Sequence, residues 1–191
     1  MTSVPKNKKV SREEFLIYQD SIERKAEYLD GEIYDMSGGT GRHAMICGNL
    51  TIVIGSAVRG KGCTVFPADL MYHIPLSGGL FIPDFSVICG TTEYENNRED
   101  IAKNPILIVE VLSKSTAEYC RNGKFTGYSS IPTLNEYLLV DQYSHTVEVR
   151  IRRPFGTWEV QTFASMEDQI ALQSLGIKIS MHDIYYGVVF P

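Results

Sequence analysis

Hydrophobic and polar positions change period several times along this chain, and each change marks an element. Ser11, with Glu14 three residues later and Phe15, Leu16 and Tyr18 behind it, has the form of a capping box opening a short helix. Residues 25–29 and 32–36 are short runs joined by Asp30-Gly31, a pair that accepts positive φ at both centres of a type I′ turn, so they predict a β-hairpin. A glycine-rich loop follows at 37–41. Ala44, Cys47, Ile54, Ala57 and Val58 then recur near helical spacing and predict a long helix over 42–59 that stops at Gly60. Strands are expected at 63–68, 69–74 and 80–89. Residues 106–112 form a near-continuous β-branched run, the pattern of a strand buried on both faces. Ser115 or Thr116 caps a helix that reaches about residue 130, ahead of Pro132. Strands at 136–141, 146–153 and 157–164 follow, and a short helix spans 180–186. This order predicts one α/β domain with a mixed sheet over 11–191, behind a loose tail at 1–10.

Length and composition agree with one core: 191 residues, 43% hydrophobic and 21% charged. The formal charge of −5 excludes a protein coated in positive charge, while leaving a local basic groove open. Lys6, Lys8, Lys9 and Arg12 form one basic cluster, and Arg150, Arg152 and Arg153 another. Each is either solvated surface charge or a phosphate contact. Alternation places Glu148, Arg150 and Arg152 on one exposed face. The four cysteines contain no CxxC pair, which argues against a zinc ribbon and favours reduced thiols in or near a core. The N-terminus has no apolar leader and no stretch is long enough to span a bilayer, so a cytoplasmic protein without membrane contact is expected. Residues 55–62 nearly match a P-loop, but a helix precedes them and Gly62 replaces the required hydroxyl.

Two acids stand inside apolar strands. Glu110 interrupts the most apolar run of the chain, where an isolated carboxylate is costly unless paired, protonated or metal-bound. Asp84 lies in a second apolar run, directly after Pro83, whose missing N–H interrupts the strand ladder. Two carboxylates on neighbouring strands make an oxygen-rich site for Mg²⁺ or Mn²⁺, which can stabilise charge on a phosphate and help generate hydroxide. The structural alternatives are an ion pair for Glu110 and a strand-end Asp for Asp84. Lys124 follows in the next helix, either near a metal-bound phosphate or as a solvated lysine, and Lys114 is its rival. His43 opens the long helix, either as a phosphate or acid–base group or as a helix-end histidine. Glu27 is either a third acid of the site or a cross-strand partner within the hairpin. Asp69 either faces the site or marks a turn.

Pro83-Asp84, then Val109-Glu110-Val111-Leu112-Ser113, Lys124 with Tyr128, and the run from Asn135 to Asp141 resemble the Uma-two family of endonucleases. Residues 27–33 and His43 are similar too. The family belongs to the PD-(D/E)XK superfamily, so the resemblance implies a restriction-endonuclease-like α/β fold, a mixed β-sheet flanked by helices. It implies metal-dependent hydrolysis of DNA phosphodiester bonds, with Asp84 and Glu110 as metal ligands and Lys124, His43 and Glu27 completing the catalytic set. Lys124 is the lysine relocated to the following helix, since Leu112 holds its usual place. The acid that commonly stands four residues before that lysine is Cys120 here. That departure favours a second reading, a nucleic-acid-binding or interaction protein on a nuclease-derived scaffold. Cleavage of two strands implies a homodimer.

Overall fold

A computed structural model describes residues 9–36, 38–96 and 98–190. Helix α1 (Arg12–Asp20) opens on the reciprocal capping box, with Ser11 Oγ accepting from the Glu14 N–H and Glu14 accepting from the Ser11 N–H. Strands β1 (Ala26–Leu29) and β2 (Glu32–Asp35) form the predicted hairpin, and its turn holds Asp30 and Gly31 at φ 51° and 85°. Of the expected tail, residues 1–8 lie outside the described residues. Val10 donates to the Gly31 carbonyl and accepts from the Tyr28 hydroxyl, so this end of the tail is tied to the hairpin. Helix α2 (Gly41–Val58) is capped by the Thr40 hydroxyl.

Twelve strands build two six-stranded mixed sheets. The first has the order β2-β1-β5-β4-β8-β7, with β4 (Met71–Ile74), β5 (Gly79–Phe81), β7 (Tyr94–Glu95) and β8 (Arg98–Ala102). The second has the order β12-β11-β10-β9-β6-β3, with β3 (Cys63–Pro67), β6 (Phe85–Cys89), β9 (Leu107–Leu112), β10 (Glu136–Asp141), β11 (Val147–Arg152) and β12 (Trp158–Phe163). The parallel pairs β4–β8 and β9–β10 make both sheets mixed. The hairpin β13 (Gln169–Leu172) and β14 (Ile177–Ser180) and helix α5 (Met181–Ile184) complete the fold.

Alternating side chains of the second sheet feed two cores. Leu107, Val109 and Val111 pack with Ile46, Leu50 and Ile54 of α2 and with the β13–β14 hairpin. Ile108 and Leu112 face the other way, toward Tyr72 and Phe81 of the first sheet. Phe15 of α1 anchors a third cluster with Ala26, Leu80 and Ile101. Glu110 shares the parity of Ile108 and Leu112, and therefore enters the layer between the two sheets.

The structure corrects several expectations. The strand expected over 80–89 is two strands in different sheets, because the chain leaves the ladder between Phe81 and Phe85, at Ile82-Pro83-Asp84. The helix expected to 130 is α3 (Ala117–Tyr119), a π-turn (Cys120–Lys124) and α4 (Phe125–Ser129). The π-turn shifts the backbone ladder from i→i+4 to i→i+5, and the Cys120 carbonyl accepts from the Tyr137 hydroxyl. Strands β7, β8, β13 and β14 were not expected, since their short runs mix polar and apolar residues without clear alternation.

The arginines of β11 are not a free basic face. Arg150 stacks on Phe125 and donates to the Arg121 carbonyl. Arg152 lies over Trp158 and donates to the carbonyls of Ser129, Ile131 and Leu134, closing the end of α4. Arg12 is held by Glu95 and Arg153 by Glu159.

The expectation of four reduced thiols also gives way. The β3–β6 register sets Cys63 opposite Cys89 and the two are disulfide-bonded, while Cys47 and Cys120 are free. A separation of 26 residues conceals a neighbour relation that only strand pairing creates. Denatured without reductant and alkylated, the protein should therefore present two reactive cysteines by mass spectrometry, and four would show the bridge to be absent.

Candidate active site

Asp84 stands at the crossing from the first sheet to the second. The antiparallel register ends with Phe85 paired to Val109, which brings Asp84, the residue before, beside the Glu110 end of β9. Asp84 Oδ2 accepts from the Val111 N–H at 2.8 Å, so the backbone of β9 fixes the carboxylate. His43, in the first turn of α2, brings Nε2 to 3.2 Å from Asp84 Oδ1. The glycine loop before α2 permits this contact, since a Cβ on Gly39 would stand 2.7 Å from His43 Nδ1.

Glu110 is 3% exposed. Its Oε1 accepts from Lys124 Nζ at 2.9 Å and from the Tyr128 hydroxyl at 3.2 Å. Lys124, in the π-turn, also donates to Glu27 Oε1 at 2.8 Å and to the Ile82 carbonyl at 3.2 Å. Glu27 in turn accepts from the Ile82 N–H at 2.8 Å. The bend around Ile82 that splits the expected strand thus supplies both a donor and an acceptor to the cluster. The five residues singled out in the sequence meet in two linked groups, His43–Asp84 and Glu27–Lys124–Glu110. Glu27 is buried and points into the molecule rather than across the hairpin surface. Asp69 lies outside, exposed and paired with Lys25.

The charges in this layer are unbalanced. Burial pushes the Glu110 carboxyl up; Lys124 pulls it back, Asp84 and Glu27 push it up again, and it settles at about 8. Burial pulls the Lys124 ammonium down, but Glu110 and Glu27 more than reverse this, so Lys124 stays a cation. The hydrogen bond to Asp84 raises His43 to about 10, which makes it an imidazolium at neutral pH. Three carboxyl groups therefore share two cations. At neutral pH the excess negative charge is relieved by a proton on Glu110.

A divalent cation would relieve the same excess, and the donor set suits a hard ion: two neighbouring carboxyl groups, with Asp84 keeping a second lone pair on each hydrogen-bonded oxygen, and waters to fill the other positions. Both hydrogen bonds to Glu110 fall on Oε1, leaving Oε2 for a ligand. The Tyr119 hydroxyl is buried without a partner, and Glu27 and Lys124 are among the charges that act on it. Cys120 does not add charge to this set, because burial pushes its thiol up to about 12. Lys124 has two carboxyl partners, Glu27 and Glu110, without an acid at position 120.

Two residues were not singled out by sequence reasoning on chemical grounds. Tyr128 was visible only through the family resemblance; its spacing of four from Lys124 places it on the same side of the helical segment. Cys47, one helical turn after His43, contacts His43 Nδ1 through Sγ at 3.7 Å.

The Uma2 (Uma-two) family profile, described as "Putative restriction endonuclease", matches residues 12–182. An uncharacterized protein of Synechocystis sp. is 33% identical over 182 residues, covering 95% of this chain and 94% of that protein. A second Synechocystis protein, also uncharacterized, is 33% identical over 148 residues, covering 78% of this chain and 84% of its own length. A crystal structure described as a putative nuclease belonging to DUF820, from Anabaena variabilis, superposes with a TM-score of 0.72 over 88% of this chain and 93% of that one, at 22% identity. The mixed sheets and flanking helices thus form a restriction-endonuclease-like fold, and the chain belongs to the Uma2 family of restriction-endonuclease-like proteins.

Proposed function

We propose that this protein is a divalent-metal-dependent DNA endonuclease, with Asp84 and Glu110 as the ligands of one Mg²⁺ or Mn²⁺. The observation that carries this reading is the convergence of charge at the start of β6: Asp84, one residue before the Phe85–Val109 pair, is among the charges acting on Glu110 of β9, and Lys124 stands 2.9 Å from Glu110. When bound, the ion supplies charge stabilisation to the scissile phosphate and lowers the pKa of an attacking water. Lys124 stays protonated, so it serves as a fixed positive charge that orients the water or offsets charge on the phosphate, and not as a general base. Glu27 and the Ile82 carbonyl hold that ammonium in place. His43 orients Asp84 and carries a proton that it can donate to a phosphate oxygen or to the leaving group.

A net charge of −5 does not oppose a nucleic-acid substrate, because a bound cation reverses the local sign where the phosphate docks. Among the described residues each chain carries one such cluster, so cutting both strands of a duplex calls for a homodimer. Among the described residues no helix is long and apolar enough to cross a membrane, and we read the protein as cytoplasmic. The alternative, a nucleic-acid-binding scaffold without catalysis, rests on Cys120; the Lys124–Glu27 contact supports the catalytic reading, since it gives the lysine an acidic partner without that residue.

Supercoiled plasmid should be converted to nicked and linear forms in Mg²⁺ or Mn²⁺, with conversion stopped by EDTA. Asp84→Ala should reduce the rate by at least about a hundred-fold, the scale on which removal of one charge-stabilising group acts. Cleavage that survives chelation would overturn the metal-dependent reading, and cleavage that survives Asp84→Ala would overturn the site.

A further inference from the structure

Asp84 and His43 belong to a second cluster, whose third member, Cys47, the hydrolytic reading leaves unused. His43 and Cys47 stand one turn apart on α2, with Nδ1 and Sγ 3.7 Å from each other. Asp84 approaches the other side of the ring, Oδ1 to Nε2, at 3.2 Å. One nitrogen, one sulfur and one oxygen ligand atom from these residues all lie within 4.8 Å of one another. All three residues are half-buried, so an ion has a route in from solvent and a protein wall behind it.

This donor set differs in kind from the Asp84–Glu110 pair. Thiolate and imidazole select zinc-like ions, whereas Mg²⁺ takes oxygen ligands. Zn²⁺ held by one Cys, one His and one carboxylate has three protein ligands and keeps a fourth position for water. Bond lengths of about 2.0–2.3 Å put tetrahedral ligand atoms about 3.5 Å apart, so binding would draw the ligand atoms together by about an ångström and turn the His43 ring to present one nitrogen to the ion shared with Cys47 and Asp84. Helix α2 fixes the His43–Cys47 pair, and the β9 backbone fixes Asp84 through Val111.

We propose that His43, Cys47 and Asp84 form a binding site for Zn²⁺, and that zinc there inhibits the Mg²⁺-dependent activity by drawing Asp84 away from Glu110. Binding replaces the Cys47 thiol proton and a proton of the His43 imidazolium, both released to solvent. The two ions compete because one carboxylate serves both. The inhibitory half rests on the proposed metal-dependent activity; the zinc site itself does not.

The test uses Co²⁺ as the spectroscopic stand-in for Zn²⁺, added to the full chain. The wild-type protein should develop a sulfur-to-cobalt charge-transfer band with tetrahedral visible absorption, and added Zn²⁺ should erase both. Cys47→Ser, which keeps a hydrogen-bonding group beside His43, should lose the band, while Cys120→Ser should retain it. In the plasmid assay, Zn²⁺ should suppress Mg²⁺-dependent cleavage by the wild type, and Cys47→Ser should cleave with Mg²⁺ and resist that suppression. Absence of the band in the wild type, or its persistence in Cys47→Ser, would overturn the site. Equal suppression of both proteins by Zn²⁺ would overturn the inhibition. If the wild type does not cleave at all, the endonuclease reading fails, while the cobalt spectrum still decides the zinc site.

Discussion

Lys124→Met should lower stability by about 3–5 kcal/mol, as removal of one partner from a buried ion pair does. Lys124 is 6% exposed, and its ammonium touches Glu27, Glu110 and the Ile82 carbonyl. Methionine fills the same volume but leaves Glu27 and Glu110 facing each other without a cation. Glu110 can escape by holding its proton more tightly, as its carboxyl already sits at about 8. Glu27 keeps only the Ile82 N–H. At about 2–4 °C per kcal/mol for a chain of this size, the melting temperature should fall by about 6–20 °C. Glu27→Gln added to Lys124→Met should recover part of the loss, because it removes one uncompensated charge. A melting temperature unchanged in Lys124→Met would show that the ammonium is not buried between the two acids. Cleavage should be lost in the single variant and should not return in the double, which separates stability from chemistry.

Glu110→Gln should do the opposite: keep the fold and remove the metal. Glutamine preserves the shape and its Oε1 still accepts from Lys124 and Tyr128, but the neutral amide is a poor ligand for a hard cation. The pH dependence carries a definite sign, set chiefly by burial of Glu110. Its folded pKa of about 8 lies above the ordinary carboxyl value of 4.5. Between these limits the folded chain holds a proton that the unfolded chain has released, so its contribution to stability is present below pH 4.5 and lost as pH rises through about 8. In EDTA, the wild-type melting temperature should therefore decline between pH 5 and 8 more steeply than that of Glu110→Gln. Addition of Mn²⁺ at pH 8 should raise the melting temperature of the wild type and leave the variant unchanged.

Much of this arrangement is legible before any coordinates. Ser11 and Glu14 announce α1, Asp30-Gly31 dictates its turn, and an acid inside 106–112 can only be a costly or a purposeful group. What local pattern cannot carry is pairing between distant segments. The bend at Ile82-Pro83-Asp84 looks like the middle of one strand until two sheets compete for its ends. Cys63 and Cys89 become neighbours only through the β3–β6 register. The π-turn at Cys120–Lys124 contacts Tyr137 and Glu110, partners that helix propensity along its own sequence does not reveal. Arg150 and Arg152 read as solvated because alternation gives a face and not its cover; the α3–α4 segment is that cover. Asp84 and Glu110 were found because they violate the apolar pattern around them, whereas Lys124, Glu27 and His43 were carried by the family resemblance. Cys47 was missed because a cysteine on a half-apolar helix violates nothing.

The central claim, that Asp84 and Glu110 together hold one divalent cation, is tested most directly by titrating Mn²⁺ into metal-free protein and following the free-ion signal by electron paramagnetic resonance. The wild type should take up one Mn²⁺ per chain at this pair, and Glu110→Gln should leave the ion free over the same range. Uptake equal in the two proteins, or no uptake by the wild type, would contradict the account.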